Sequence, residues 1–114
     1  MSIKITLLAF ALLAADPLSR TYTTSADAMF PLMGRAIAEK WRVLHSDKDL
    51  CLVTFEAPQT LMESGFDATA SCESADSGSL VRIKARQKGT VSLRRREEGF
   101  AKSVLDQIAA HAKP

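Results

Sequence analysis

The sequence predicts an α+β fold of order β-α-β-β-β-β-α, a single antiparallel sheet with two helices packed on one face. Three observations predict it. Two segments repeat their apolar residues at helical spacing, at 28–40 and 97–112. Four strand-like runs lie between them, separated by polar turn residues. The pairing set by three turns also gathers the apolar residues of those strands onto one face. At 114 residues the chain is long enough for one domain and too short for two.

The first strand is expected over Ser19 to Thr24, a Thr- and Tyr-rich run. Ser25 or Asp27 then offers a helix N-cap. Phe30, Met33, Gly34, Ile37, Ala38 and Trp41 form one helical stripe, with Pro31 expected in or near the first turn and Gly34 expected to let the backbone approach the sheet. Runs at Trp41–Ser46 and Leu50–Glu56 flank Asp47-Lys48-Asp49 and read as a tight hairpin. Runs at Phe66–Glu73 and Leu80–Lys88 flank a Ser, Asp and Gly turn at 74–79. A loop from Ala57 to Gly65 joins the two hairpins, and Gly89 is expected to bend the last strand, which would continue through 90–93. The final helix, Glu97 to Ala112, aligns Phe100, Val104, Leu105, Ile108 and Ala112.

The predicted register opposes Trp41 to Phe55, Val43 to Val53 and His45 to Cys51 in the first hairpin. Between the hairpins it opposes Phe55 to Ala68, Val53 to Ala70 and Cys51 to Cys72; in the second hairpin, Cys72 to Val81, Ala70 to Ile83 and Ala68 to Ala85. All belong to one face, and a slip of one residue would turn that apolar set outward. The other face carries Arg42, Thr54, Thr69 and Lys84 in one row and Glu56, Asp67 and Arg86 in the next. It is polar, as befits a sheet solvated on one side.

Residues 1–15 read as a signal peptide, and 16–114 as the single α+β domain. Lys4 precedes an apolar run from Ile5 to Ala15 and then Asp16-Pro17. That run is about 11 residues, short of the ~20 that span a bilayer, so no stable membrane span is expected. Cleavage is expected after Ala15; Ala26-Asp27-Ala28 fits the small-residue rule better, but a cut there would remove a strand. An uncleaved anchor and a cytosolic core segment are the alternatives. Export to the periplasm or beyond would place Cys51 and Cys72 where thiols oxidise.

The strand-helix-four strands-helix order, the Ser25-Ala26-Asp27 helix entry, Trp41 opening the second strand, and Gly99 before an apolar helix with Val104-Leu105 are similar to small exported bacterial domains of uncharacterised function. They resemble abbreviated helix-grip or TATA-binding-protein-like folds, over residues 18 to 112 and in pattern only. The resemblance implies architecture and carries over no catalytic residue.

The chemistry follows from the register. Cys51 and Cys72, directly opposed, are expected to form a disulfide closing about twenty residues and worth roughly 3 kcal/mol; two buried free thiols are the alternative. His45 extends their row, so a His45, Cys51 and Cys72 cluster for zinc or copper, or a thiol-redox role, is the competing reading. No metal site and no cofactor is the expectation, because a fourth ligand is not evident and a bridged pair cannot coordinate as thiolates. Arg82, Lys84, Arg86 and Lys88 alternate along one strand face, and Asp67, Glu73 and Glu56 are placed to neutralise much of that charge. A formal charge of +2 and the lack of aromatics for base stacking argue against nucleic acid. Leu44, Leu50 and Leu52 fall on the nominally exposed face near one sheet edge, where they would serve partner docking or, alternatively, be covered by a loop or the N-terminal segment. Nucleophile elbows, zinc-protease, phosphate-loop and dinucleotide motifs are absent from the sequence, and no enzyme is expected. The expected function is therefore a small exported, non-catalytic binding domain. Its candidate contacts are Leu44, Leu50, Leu52, Arg82, Lys84 and Arg86. An envelope protein is the expected partner, a small apolar ligand is possible, and an inhibitor or immunity-type protein is a further alternative.

Overall fold

A computed structural model describes residues 18–58, 65–88 and 94–112. The order is β1 (Leu18–Tyr22), α1 (Ala26–Ala38), β2 (Arg42–Asp47), β3 (Leu52–Ala57), β4 (Phe66–Ala75), β5 (Gly78–Gln87) and α2 (Arg94–Ala109). The strands form one antiparallel sheet in the spatial order β1-β5-β4-β3-β2. Strands β2 to β5 are a meander, and β1 pairs with its last member. The two strands joined by α1 therefore lie at opposite edges, and α1 carries the chain across the sheet. Both helices cover the same face: α2 lies over β5 and β1, while α1 lies against β4 and β2 and touches α2. The expected fold class and element order hold.

Between them lies a core of Tyr22, Met29, Met33, Ile37, Val53, Phe55, Val81, Ile83, Val104 and Ile108, all fully buried. Trp41, Phe55, Phe66 and Phe100 form an aromatic cluster at one end. Phe66 stacks on Phe100 at 4.5 Å, and Trp41 meets Phe100 edge-on at 5.4 Å and Phe55 at 5.9 Å.

Local chemistry sets the helix boundaries. Ser25 caps α1, its Oγ accepting from the Ala28 N–H at 3.3 Å, and Asp27 places a negative charge in the first turn. At the other end the Lys40 N–H turns to the Ile37 carbonyl, leaving the Ala36 carbonyl without its helical donor. The buried Gln107 side chain of α2 supplies one, its Nε2 donating to Ala36 O at 3.0 Å and to Glu39 Oε1 at 3.3 Å. One amide thus closes α1 and ties the helices together. Tyr22 joins β1 to α2 by donating its hydroxyl proton to the Leu105 carbonyl at 2.8 Å.

The helical phase of α1 differs from expectation. Its buried stripe is Met29, Met33, Ala36 and Ile37, with Phe30 and Gly34 half-buried and Ala38 exposed. The large rings of Phe30 and Trp41 weight the sequence pattern toward the wrong face, whereas Trp41 lies beyond the helix and packs from the connector. Gly34 admits no close approach, because a Cβ there would meet nothing within 4 Å. Pro31 sits in the second turn, on the exposed side. The last helix begins at Arg94, so Arg94 to Arg96 form its first turn instead of preceding it. The signal peptide, most of the 57–65 loop and the Gly89–Leu93 continuation lie outside the described residues.

Two of the three predicted registers hold. β3 and β4 pair Phe55 with Ala68 and Val53 with Ala70; β4 and β5 pair Ala68 with Ala85, Ala70 with Ile83 and Cys72 with Val81. The first hairpin is displaced. Val43 faces Phe55, His45 faces Thr54 and Ser46 faces Val53, with a bulge between Val43 and His45. The cause is the turn. Four residues, 48–51, link β2 to β3, with the Cys51 N–H bonded to Lys48 O at 3.2 Å and Cys51 itself left-handed at φ 50°. A longer connection ending in a left-handed residue shifts the pairing, and the bulge at Leu44 restores alternation for the residues before it.

A candidate interaction surface on the open sheet face

Alternation along correctly registered strands turns a second set of side chains away from the helices. Row by row across the sheet these are Arg42, Glu56, Asp67 and Arg86; then His45, Thr54, Thr69 and Lys84; then Asp47, Leu52, Ser71, Arg82 and Ser19; then Glu73, Leu80 and Thr21. Arg82, Lys84 and Arg86 are therefore adjacent outward positions of β5, and Leu52 shares a row with Arg82. The expected Arg42, Thr54, Thr69, Lys84 row is corrected: the bulge moves Arg42 opposite Glu56 and puts His45 in its place.

Ion pairing on this face departs from the sequence reading in one informative way. Glu73 pairs with Arg82, as its diagonal placement suggests. Glu56 is shared between Lys88, whose Nζ approaches Oε2 at 2.6 Å, and Arg42 at 3.6 Å. Asp67 lies across from Arg86 in the ladder, yet its ion pair is with Lys88 at 3.7 Å. The Lys88 hydrogen bond and charge hold the Glu56 carboxyl below its usual pKa, and Glu56 in turn holds Lys88 above its own. Lys88 thus gathers both carboxylates. Exposed Lys84 and Arg86 make no ion pair among the described residues. Thr69, Ser71, Arg82 and Lys84 line a shallow depression of about 250 Å³.

The three leucines lie at the β2 margin. Leu44 is the bulged residue and is 50% exposed, Leu50 sits in the turn and is 67% exposed, and Leu52 is half-buried on the open face. Val43, at 37% exposure, joins this margin unforeseen. It belongs to the buried set by alternation, but β2 is an edge strand where neither helix covers it fully.

Cys51 and Cys72 form a disulfide with Cα atoms 5.4 Å apart, and the Cys72 N–H donates to Cys51 O at 3.0 Å, continuing the β3–β4 ladder into the turn. Cys51 is a turn residue here, one position short of the strand in which the sequence places it. His45 is not beside it: the register shift puts His45 opposite Thr54, on the far face, so the His45, Cys51 and Cys72 constellation is not assembled. Next to the bridge, Ala26, Asp27, Phe30, Lys48, Asp49 and Cys51 line an open cleft of about 610 Å³ between the start of α1 and the β2–β3 turn.

These features define a small two-layer α+β domain: two helices on one face of a five-stranded antiparallel sheet, a disulfide at one turn, and, among the described residues, a charged sheet face that neither helix covers. A solved structure of similar architecture is a DUF4468 family protein from Bacteroides ovatus ATCC 8483, with a TM-score of 0.51 and 11% identity over 83% of this chain and 84% of that chain. At that identity the likeness is one of fold alone, and the expected helix-grip or TATA-binding-protein-like relationship gains no support from it. No family profile matches the chain, and no curated protein matches it in sequence.

Proposed function

We propose that the chain is a small exported, non-catalytic interaction domain that meets a protein of the cell envelope through the open face of its sheet. The observation that carries this reading is the continuity of the surface. Leu52 sits in the same row as Arg82, the exposed Leu44 and Leu50 border it, and Lys84 and Arg86 beside it have no carboxylate partner among the described residues. An apolar margin at the β2 edge of a face whose β5 side carries unneutralised cations is the composition of a binding patch, with anchors to desolvate and charges to orient the partner. The disulfide is compatible with an oxidising compartment, and among the described residues no helix is long and apolar enough to cross a membrane.

The test is affinity capture from an envelope extract with the oxidised chain, run beside a Leu44→Ser, Leu50→Ser, Leu52→Ser variant. A specific partner retained by the native chain and lost from the variant supports the reading. Identical capture by both removes the surface from consideration. Cell fractionation with intact-mass measurement tests export. An exported chain is expected in the envelope fraction, shortened by its leader and two hydrogens lighter than the dithiol.

A further inference from the structure

We infer that the outward ridge of β5 binds an extended acidic peptide segment of the partner, with carboxylates on alternate residues; this rests on the open-face reading above and names the chemistry it selects. Arg82, Lys84 and Arg86 are consecutive outward positions of one strand, so their Cα atoms stand about 6.8 Å apart. An extended peptide laid along β5 repeats its own side chains at the same interval. Glu or Asp at every second position therefore meets Lys84 and Arg86 directly and reaches Arg82 in competition with Glu73, while the intervening side chains point away. Thr69 and Ser71 flank the ridge within the depression and offer hydroxyl donors to the same carboxylates.

The rest of the face selects a peptide over other anions. Glu56, Asp67 and Glu73 share the surface, so a uniformly charged phosphate surface or polyanion pressed on it would meet carboxylates as well as cations. A peptide confines its negative charge to the ridge. Leu52, in the row of Arg82, and Leu80, in the next, give apolar contact to a neighbouring side chain. Nucleic acid finds no base-stacking platform here, because Trp41, Phe55, Phe66 and Phe100 pack together at one end of the core.

The full-length oxidised chain is titrated with a labelled heptapeptide, acetyl-Thr-Glu-Val-Glu-Val-Glu-Thr-amide, and with its Gln-for-Glu counterpart. Vesicles containing phosphatidylglycerol and an oligothymidylate form two further arms. Saturable binding of the Glu peptide is expected, weakened at least tenfold by Gln-for-Glu, by Lys84→Gln with Arg86→Gln, and by raising salt from 50 to 500 mM. Lys102→Gln, an exposed charge on α2 at the helical side of the molecule, is expected to change it less than twofold. Lys84→Gln and Arg86→Gln both replace exposed side chains, and an unchanged urea midpoint verifies the fold of the double variant. Equal affinity for the two peptides, or insensitivity to the Lys84 and Arg86 changes, overturns the inference. Tighter binding of vesicles or oligothymidylate than of the peptide overturns it in favour of a phosphate surface or polyanion. If the peptide fails while leucine-dependent capture from the extract persists, the ridge assignment falls and the open-face reading stands; if both fail, both fall.

Discussion

Gly34 and Gly78 show how differently one residue type can be used. A Cβ at Gly34 meets nothing, so Gly34→Ala adds helix propensity alone and is expected to raise stability by about 1 kcal/mol, read as a higher urea midpoint at unchanged slope. A Cβ at Gly78 would collide with the Tyr22 carbonyl oxygen and the Thr23 backbone, where β1 closes against β5. Gly78→Ala is expected to cost about 2 kcal/mol or more in the same measurement. Ser79, next in the chain, is fully buried and its Oγ has no hydrogen-bond partner among the described residues. A buried hydroxyl without a partner opposes folding, so Ser79→Ala is expected to stabilise by roughly 1 kcal/mol, and a thermal scan showing destabilisation would contradict that account.

At the scale of elements, the β2–β3 hairpin is the part the structure reorganises most. Its turn ends in a left-handed Cys51, a conformation that costs an ordinary side chain about 1–2 kcal/mol, and the bridge to Cys72 holds it there. Replacing both cysteines with Ser is expected to cost about 3 kcal/mol, the loop-closure value for a separation of 21 residues. Placing Gly at 51 in the Cys72→Ser background should recover roughly 1 kcal/mol relative to Ser, because Gly enters the left-handed region freely. Equal stability of the two bridge-free variants in urea would show that the turn relaxes once cut. The two helices depend on each other through Gln107, whose amide satisfies the last turn of α1 from α2.

For the whole molecule, pH dependence follows from three shifted groups. The pairing of Glu56 with Lys88 lowers the carboxyl pKa, so its contribution is complete above the usual Glu value and is lost as pH falls through the lowered one. Lys88, raised by the same bond, contributes fully below its usual value and loses that share as pH rises beyond it. Burial raises Tyr22 against the opposing charge of Arg20, so its share also disappears on the alkaline side. The share that these three groups contribute should therefore be constant from about pH 5 to 9 and be lost on both sides. Glu56→Gln should weaken the acid dependence, and Tyr22→Phe the alkaline one. Urea midpoints across pH check both, and a native-like acid limb in Glu56→Gln would assign that limb to other carboxylates.

By itself the sequence determined the element order, the two registers set by β4, the Cys51–Cys72 opposition and the polar character of the open face. Each of these follows from short-range periodicity and turn chemistry, which act within a few residues. Tertiary structure alone decided the phase of α1, the register of β2 and the pairing of the charges. Met29 joins Met33, Ala36 and Ile37 in the buried stripe, and Trp41, beyond the helix, packs against Phe100 of α2. The β2 register turns on a backbone angle at Cys51, which side-chain polarity does not encode. Lys88 takes Asp67 from Arg86 because ion pairs are chosen by where flexible side chains reach in three dimensions, and that choice leaves Lys84 and Arg86 without a carboxylate partner among the described residues.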